Sequence, residues 1–79
     1  MRPSVKIFGY EKRCYPCKLA KQFAESKKLD FGFVNIDEQI KLDENKALLS
    51  KAKDYHYIPK VFVDNKFIGG FDELQKKFQ

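Results

Sequence analysis

The feature that most constrains this chain of 79 residues is a pair of cysteines, Cys14 and Cys17, separated by two residues. They are the only cysteines in the sequence, and they lie between an apolar strand-like segment and a helix-like segment. Residues i and i+3 on a first helical turn face each other, so their Cα atoms can fall within the roughly 4.4–6.8 Å that a disulfide requires. This spacing predicts a redox dithiol that closes and reopens with little backbone movement.

A disulfide at this spacing would do little to stabilise the fold. It closes a very short ring, and the entropic stabilisation by a disulfide grows with the length of the ring that it closes. The chain length predicts one small domain over residues 1–79, whose core eight Phe and four Tyr can help to fill. The two cysteines are therefore predicted to serve chemistry rather than stability.

The apolar pattern predicts an α/β fold with the element order β-α-β-α-β-β-α. A helix joins the first two strands, which predicts that they are parallel, and a three-residue turn joins the last two into an antiparallel hairpin. We expect a four-stranded mixed sheet flanked by three helices, the second of which buries Leu48, Leu49, Ala52 and Tyr55. The predicted strands cover residues 5–10, 31–36, 61–63 and 67–68, and the helices begin near Pro16, after an Asp43 N-cap and at Phe71.

Charge and hydropathy limit the classes of partner. The formal net charge is +5, and basic residues crowd the cysteine motif, but no stacked aromatic–basic signature indicates nucleic-acid binding. No segment approaches the roughly 20 apolar residues of a membrane span, and no apolar leader follows Met1. These observations predict a cytoplasmic protein that binds neither nucleic acid nor membrane, in a compartment where a CxxC pair is more often catalytic or metal-binding than structural.

Three motifs in a fixed order identify a family resemblance. They are Cys14-Tyr15-Pro16-Cys17 at the first strand–helix junction, Ile58-Pro59 before the hairpin, and Gly69-Gly70-Phe71-Asp72 before the last helix. Together they resemble the glutaredoxins over nearly the whole chain, and the last stretch looks especially like the small glutaredoxins of T-even-type bacteriophages. The resemblance implies a thioredoxin-like fold and a glutathione-dependent thiol–disulfide oxidoreductase that reduces protein disulfides and glutathione mixed disulfides.

The resemblance also implies a role for each motif. Cys14 would be the nucleophile and Cys17 the resolving thiol, and Pro59 would be a cis-proline facing the disulfide. The backbone of Ile58 would pair with glutathione, whose γ-glutamyl end Gly70, Phe71 and Asp72 would hold. Lys12 would approach the glycine carboxylate, and Tyr15 would form an exposed lip of the site. The expected partners are glutathione and protein disulfides, with ribonucleotide reductase as one candidate, and the expected state is a monomer.

The nucleophile must be a thiolate, and two features favour one at Cys14. The start of a helix stabilises an anion, and the cationic neighbours Arg13 and Lys18 add to that effect. We therefore expect Cys14 to ionise at a lower pH than an ordinary thiol. Cys17 lies one turn deeper and should be less exposed.

Departures from the family pattern keep two alternatives open. Common glutaredoxins carry Pro-Tyr between the cysteines, whereas Tyr15-Pro16 places proline where thioredoxins have it. One alternative is therefore a redoxin that thioredoxin reductase reduces, although the chain lacks Trp before the first cysteine. The other is a dimer that binds a [2Fe–2S] cluster through Cys14 and glutathione. Two thiols and His56 cannot complete a four-ligand zinc site in a monomer, so no protein-held metal is expected.

Overall fold

A computed structural model describes residues 3–36 and 42–79. The predicted order of strands and helices is confirmed, with bounds that differ by one or two residues at most ends. The elements are β1 (Ser4–Gly9), α1 (Tyr15–Ser26), β2 (Asp30–Asn35), α2 (Asp43–Ser50), β3 (Lys60–Val63), β4 (Lys66–Gly69) and α3 (Phe71–Lys77).

The sheet has the strand order β2-β1-β3-β4. β1 runs parallel to β2 and antiparallel to β3, and β3 and β4 form the antiparallel hairpin that the sequence predicts. Asp64 and Asn65 turn this hairpin with positive φ angles of 50° and 67°. Asp and Asn tolerate that left-handed backbone better than most residues, so the local sequence accounts for the tight connection.

The strands alternate their side chains between two cores. On one face, Val5, Ile7, Val61 and Val63 pack with Ala20 and Ala24 of α1 and Leu74 of α3. On the other face, Phe8 and Phe62 pack with Val34, Leu48 and Ala52. Successive strand residues point to opposite faces, so this alternation places α1 and α3 on one side of the sheet and α2 on the other.

One detail of α2 corrects the sequence interpretation. The N-cap residue is Leu42, which makes no side-chain capping hydrogen bond, and Asp43 is the first residue of the helix. An acidic residue is favourable in the first turn as well as at the cap, so the same side chain fits both positions and the sequence could not separate them. The helix also ends at Ser50, so buried Ala52 and partly buried Tyr55 follow it instead of belonging to it.

The strand directions bring three distant segments to one end of the sheet. Phe8 at the end of β1 pairs with Lys60 at the start of β3, and Val61 pairs with Gly69 at the end of β4. The cysteine motif follows β1, Pro59 precedes β3, and Gly70 follows β4. All three motifs of the sequence therefore meet at the same end of the sheet.

Candidate active site

Cys14 and Cys17 form a disulfide at the start of α1, with their Cα atoms 5.3 Å apart. Cys14 is the N-cap residue, and its sulfur accepts a hydrogen bond from the backbone N–H of Cys17 at 3.2 Å. Pro16 lies in the first turn, where its missing N–H removes no helical hydrogen bond. The predicted position of the motif at the helix N-terminus is confirmed.

The two sulfurs differ in access to solvent. Cys17 is 1% exposed, whereas Cys14 is only partly buried. A methyl group on Gly9 would lie 2.5 Å from the Cys17 sulfur, so the glycine at the end of β1 makes room for it. An incoming disulfide can therefore reach Cys14 more easily than Cys17, as the sequence predicts.

A surface depression opens on the Cys14 side of the motif, and we call it the Cys14 groove. It contains both cations that the sequence analysis singled out, Arg13 and Lys18. Lys21 adds a third cation, whose ammonium group lies 4.7 Å from the centre of the Phe33 ring. The residues that line the groove are Tyr10, Glu11, Arg13, Cys14, Tyr15, Lys18, Lys21, Gln22 and Glu25.

A second depression, the Pro59 pocket, includes Pro16 of the cysteine motif in its lining. The Ile58–Pro59 peptide bond on its wall is cis, as the family resemblance implies. Its charged lining side chains are both acidic, in contrast to the three cations of the Cys14 groove. The lining residues are Pro16, Leu19, Tyr55, Tyr57, Ile58, Pro59, Gly70, Phe71, Asp72 and Glu73.

The turn into α3 shapes the base of the Pro59 pocket. Gly69 has a φ of 123°, a conformation that glycine adopts readily, and the backbone N–H of Gly70 donates to Glu73 Oε1 at 2.6 Å. A methyl group on Gly70 would lie 2.8 Å from the Tyr55 hydroxyl and 3.3 Å from the Pro59 carbonyl oxygen. The backbone at Gly70 is thus held close to the walls of the pocket.

The structure brings together most of the site residues that the sequence analysis singled out. Ile58, Pro59, Gly70, Phe71 and Asp72 share the Pro59 pocket, and Tyr15, Arg13 and Lys18 share the Cys14 groove. Tyr15 is 70% exposed, which agrees with an outer lip of the site. Lys12 is exposed on the loop before α1 and is not among the described residues that line either depression.

Sequence reasoning did not single out three other pocket residues. The apolar pattern predicts Tyr55 as part of the core that the second helix buries, and it gives no role to Tyr57. Glu73 carries a recognisable signal, because an acidic residue three positions after an N-cap commonly accepts from the cap backbone. No comparable signal exists for Tyr55, which reaches the pocket only because the chain returns to the sheet at Pro59.

The pKa of Tyr55 is raised above its usual value. Burial is the largest cause, and the negative charges of Glu73 and Asp72 contribute next. Both effects disfavour the tyrosinate, so the hydroxyl keeps its proton at neutral pH.

Two kinds of feature are absent from residues 3–36 and 42–79, the part of the chain that the structure describes. In this part of the chain, no three side chains among His, Cys, Asp and Glu come together as a metal-binding group. None of its helices combines the length and the apolar composition needed to cross a bilayer.

A four-stranded mixed sheet with a CxxC disulfide where its first strand leads into a helix defines a dithiol redox protein of the thioredoxin-like fold. Comparison with solved structures agrees. Glutaredoxin 1 from Francisella tularensis, solved with cacodylate, superposes with a TM-score of 0.66 at 26% identity, covering 95% of this chain and 91% of that one. A buckwheat glutaredoxin–glutathione complex gives a TM-score of 0.73 at 23% identity, covering 95% of this chain and 67% of that one.

Sequence comparison gives the family. The Glutaredoxin family profile matches residues 5–68. The glutaredoxin of Enterobacteria phage T4 is 36% identical over 85 aligned residues, which cover 94% of this chain and 98% of the phage protein. An uncharacterized glutaredoxin-like 8.6 kDa protein from the rubredoxin operon of Clostridium pasteurianum is 32% identical over 71 residues, covering 90% and 89% of the two chains. The chain belongs to the glutaredoxin family and is a thiol–disulfide oxidoreductase.

Proposed function

We propose that this glutaredoxin takes its electrons from glutathione and passes them to protein disulfides and glutathione mixed disulfides. The observation that supports the proposal most is the convergence of Ile58-Pro59 and Gly70 to Asp72 in one pocket beside the cysteine motif. The motif, the cis-proline segment and the last helix come from different parts of the chain. Their convergence supplies a peptide backbone and an acidic group in one pocket, which Pro16 of the cysteine motif also lines.

In the proposed reaction, the Cys14 thiolate attacks one sulfur of a protein disulfide. A mixed disulfide forms, and the other substrate sulfur leaves as a thiolate. Cys17 then loses its proton and attacks the Cys14 sulfur, which closes the Cys14–Cys17 disulfide and releases the second substrate thiolate. The substrate gains two electrons, and the enzyme disulfide holds the oxidising equivalents.

Two molecules of glutathione complete the cycle. The first thiolate attacks the Cys14 sulfur, which restores the Cys17 thiol and leaves glutathione bonded to Cys14. The second attacks the glutathione sulfur of that bond, which releases oxidised glutathione and the Cys14 thiolate. A glutathione mixed disulfide of a protein enters at the middle of this cycle, so its reduction requires Cys14 alone.

The surrounding residues divide into two proposed groups. Arg13 and Lys18 share the Cys14 groove with the nucleophile and would stabilise its thiolate. In the Pro59 pocket, the Ile58 backbone would pair with the tripeptide, while Asp72 would accept a hydrogen bond from the γ-glutamyl ammonium group. Tyr15 would form the outer lip, and Lys12 would approach the glycine carboxylate from its loop.

The proposal extends to partners and location. A glutathione-dependent enzyme needs a compartment with reduced glutathione, which favours the cytoplasm. We propose a monomer that reduces protein disulfides, with ribonucleotide reductase as the candidate substrate that the phage relative suggests.

Substitution Asp72→Ala tests the pocket. Loss of a charge-assisted hydrogen bond to an exposed carboxylate should raise the KM for glutathione roughly tenfold, the lower end of the usual range. Turnover with dithiothreitol, which has no γ-glutamyl group, should stay unchanged. Asp30→Ala is the matched control, because Asp30 pairs with Ser4 at the opposite end of the sheet. Equal losses with both reductants would show that Asp72 only supports the fold.

A coupled assay tests the choice of electron donor. The wild-type enzyme should turn over with glutathione and glutathione reductase, whereas thioredoxin reductase should not reduce its disulfide. Reduction by thioredoxin reductase alone would contradict the proposal and favour the redoxin alternative.

A further inference from the structure

Tyr55 lines the Pro59 pocket, and the proposed mechanism gives it no role. It lies between α2 and the cis-proline and is partly buried, and its ring packs edge-on against two neighbouring rings. The ring centres lie 5.5 Å from Tyr57 and 5.0 Å from Phe67. These contacts fix the plane of the phenol, so the direction of its hydroxyl is set by packing.

The backbone that carries Tyr55 is also anchored. The carbonyl oxygen of Ala52 accepts from the backbone N–H of Tyr55 at 3.1 Å and from the Lys60 ammonium group at 3.1 Å. Lys60 is the first residue of β3, so this shared acceptor ties the Tyr55 segment to the strand that follows Pro59. Tyr55 is therefore held rigidly at the wall of the pocket.

The hydroxyl points at the base of the pocket. It would lie 2.8 Å from a methyl group on Gly70, so it sits directly beside the Gly70 backbone. Burial and the carboxylates of Glu73 and Asp72 raise the Tyr55 pKa, so the hydroxyl remains a hydrogen-bond donor across the neutral range. Among the lining residues, Asp72 and Glu73 can only accept when ionised, so the side-chain donors available to an anion are the hydroxyls of Tyr55 and Tyr57. Tyr57 is 73% exposed, whereas Tyr55 is partly buried beside Gly70.

We propose that Tyr55 is a specificity residue that donates a hydrogen bond to the α-carboxylate of the γ-glutamyl group. The γ-glutamyl end of glutathione is a zwitterion, and the proposed function already pairs its ammonium group with Asp72. The anionic half of the zwitterion needs a donor close to that carboxylate. A neutral phenol supplies one without neutralising Asp72, whereas a lysine or arginine would pair with Asp72 itself. This inference rests on the proposed function.

Two matched changes test the hydrogen bond, one in the enzyme and one in the ligand. Tyr55→Phe removes only the hydroxyl, and glutathione with an amidated α-carboxylate removes only its acceptor charge. Each change alone should raise the KM about tenfold, and the two together should raise it little further, because they delete the same contact. The kcat with dithiothreitol should not change. Glutathione esterified at the glycine carboxylate should show the same ratio of variant to wild-type KM as glutathione.

The possible outcomes distinguish a failure of this inference from a failure of the proposed function. An unchanged KM for the α-amide with the wild-type enzyme would overturn the inference even if Tyr55→Phe failed to fold. A normal KM in Tyr55→Phe together with a raised KM in Asp72→Ala would overturn it and leave the proposed function intact. Penalties in Tyr55→Phe that are equal for glutathione and its α-amide would also overturn it. No turnover of the wild-type enzyme with glutathione would overturn both.

Discussion

Residues of the cysteine motif line both the Cys14 groove and the Pro59 pocket, but the chain builds the two surfaces in different ways. All the lining residues of the groove fall between Tyr10 and Glu25, a single loop and the helix that follows it. Those of the pocket extend from Pro16 to Glu73 and come from three separate segments. The groove carries three cations and two carboxylates, whereas the charged lining of the pocket is acidic. The Cys14 groove, which contains the proposed nucleophile, is therefore formed by residues that are close together in sequence. The Pro59 pocket, in which we propose that glutathione binds, is formed only when distant segments fold together.

The largest effects should come from substitution of the two cysteines. Their effects should differ, because Cys14 opens to the groove whereas Cys17 is buried. Cys14→Ser should abolish all reductase activity, because it removes the sulfur that opens to the groove. Cys17→Ser should keep activity toward glutathionylated substrates, which need one thiol, and lose activity toward protein disulfides. Assays of both variants with both substrate types check this. An active Cys14→Ser enzyme beside an inactive Cys17→Ser enzyme would reverse the roles.

The next largest effect should come from Gly9, where both sides of the site meet. A methyl group there would lie 2.5 Å from the Cys17 sulfur and 3.3 Å from Ile58 Cγ2. Gly9→Ala should therefore lower the free energy of unfolding by about 1–3 kcal/mol, as overpacking does. Chemical denaturation of the reduced protein measures it.

Gly32→Ala is the control for this substitution. Gly32 is also a strand glycine, but an added Cβ there has no other heavy atom within 4 Å. Its free energy of unfolding should change by less than about 0.5 kcal/mol or rise, because alanine costs less entropy than glycine in a strand. Equal losses in the two variants would mean that close packing against Cys17 is not what requires glycine at position 9.

The smallest effect should come from the cations of the Cys14 groove. It should change the reactivity of Cys14 without changing the binding of glutathione in the Pro59 pocket. Lys18→Gln should slow the alkylation of reduced Cys14 by iodoacetamide at pH 6 about two- to threefold, because exposed charges interact weakly. The difference should shrink at high salt. Lys46→Gln, an exposed position on α2, is the matched control. A raised KM for glutathione in Lys18→Gln with unchanged alkylation would place the role of Lys18 in the reductant site instead.

The sequence could predict most of the fold because its signals are local. The alternation of Val5, Ile7 and Phe8 gives the faces of β1, and the short Asp64–Asn65 turn gives the hairpin. The two wrong assignments both concern α2. Asp43 is its first residue and not its N-cap, because an acidic residue is favourable at either position, and Ala52 and Tyr55 follow the helix instead of belonging to it. The first and last residues of the helices and strands were predicted least accurately, because the end of a helix depends on packing that a local pattern does not contain.

The local sequence around Cys14 and Cys17 by itself indicated dithiol chemistry and the cationic side of the site. Cys14, Arg13 and Lys18 are near neighbours in the chain, so a helix start after β1 is enough to bring them together. Only the tertiary structure showed which residues form the Pro59 pocket. Tyr55 and Glu73 join Asp72 because β3 runs antiparallel to β1 and β4 returns to the same end of the sheet. Contacts between residues that far apart in sequence depend on strand order and packing, which no local pattern encodes.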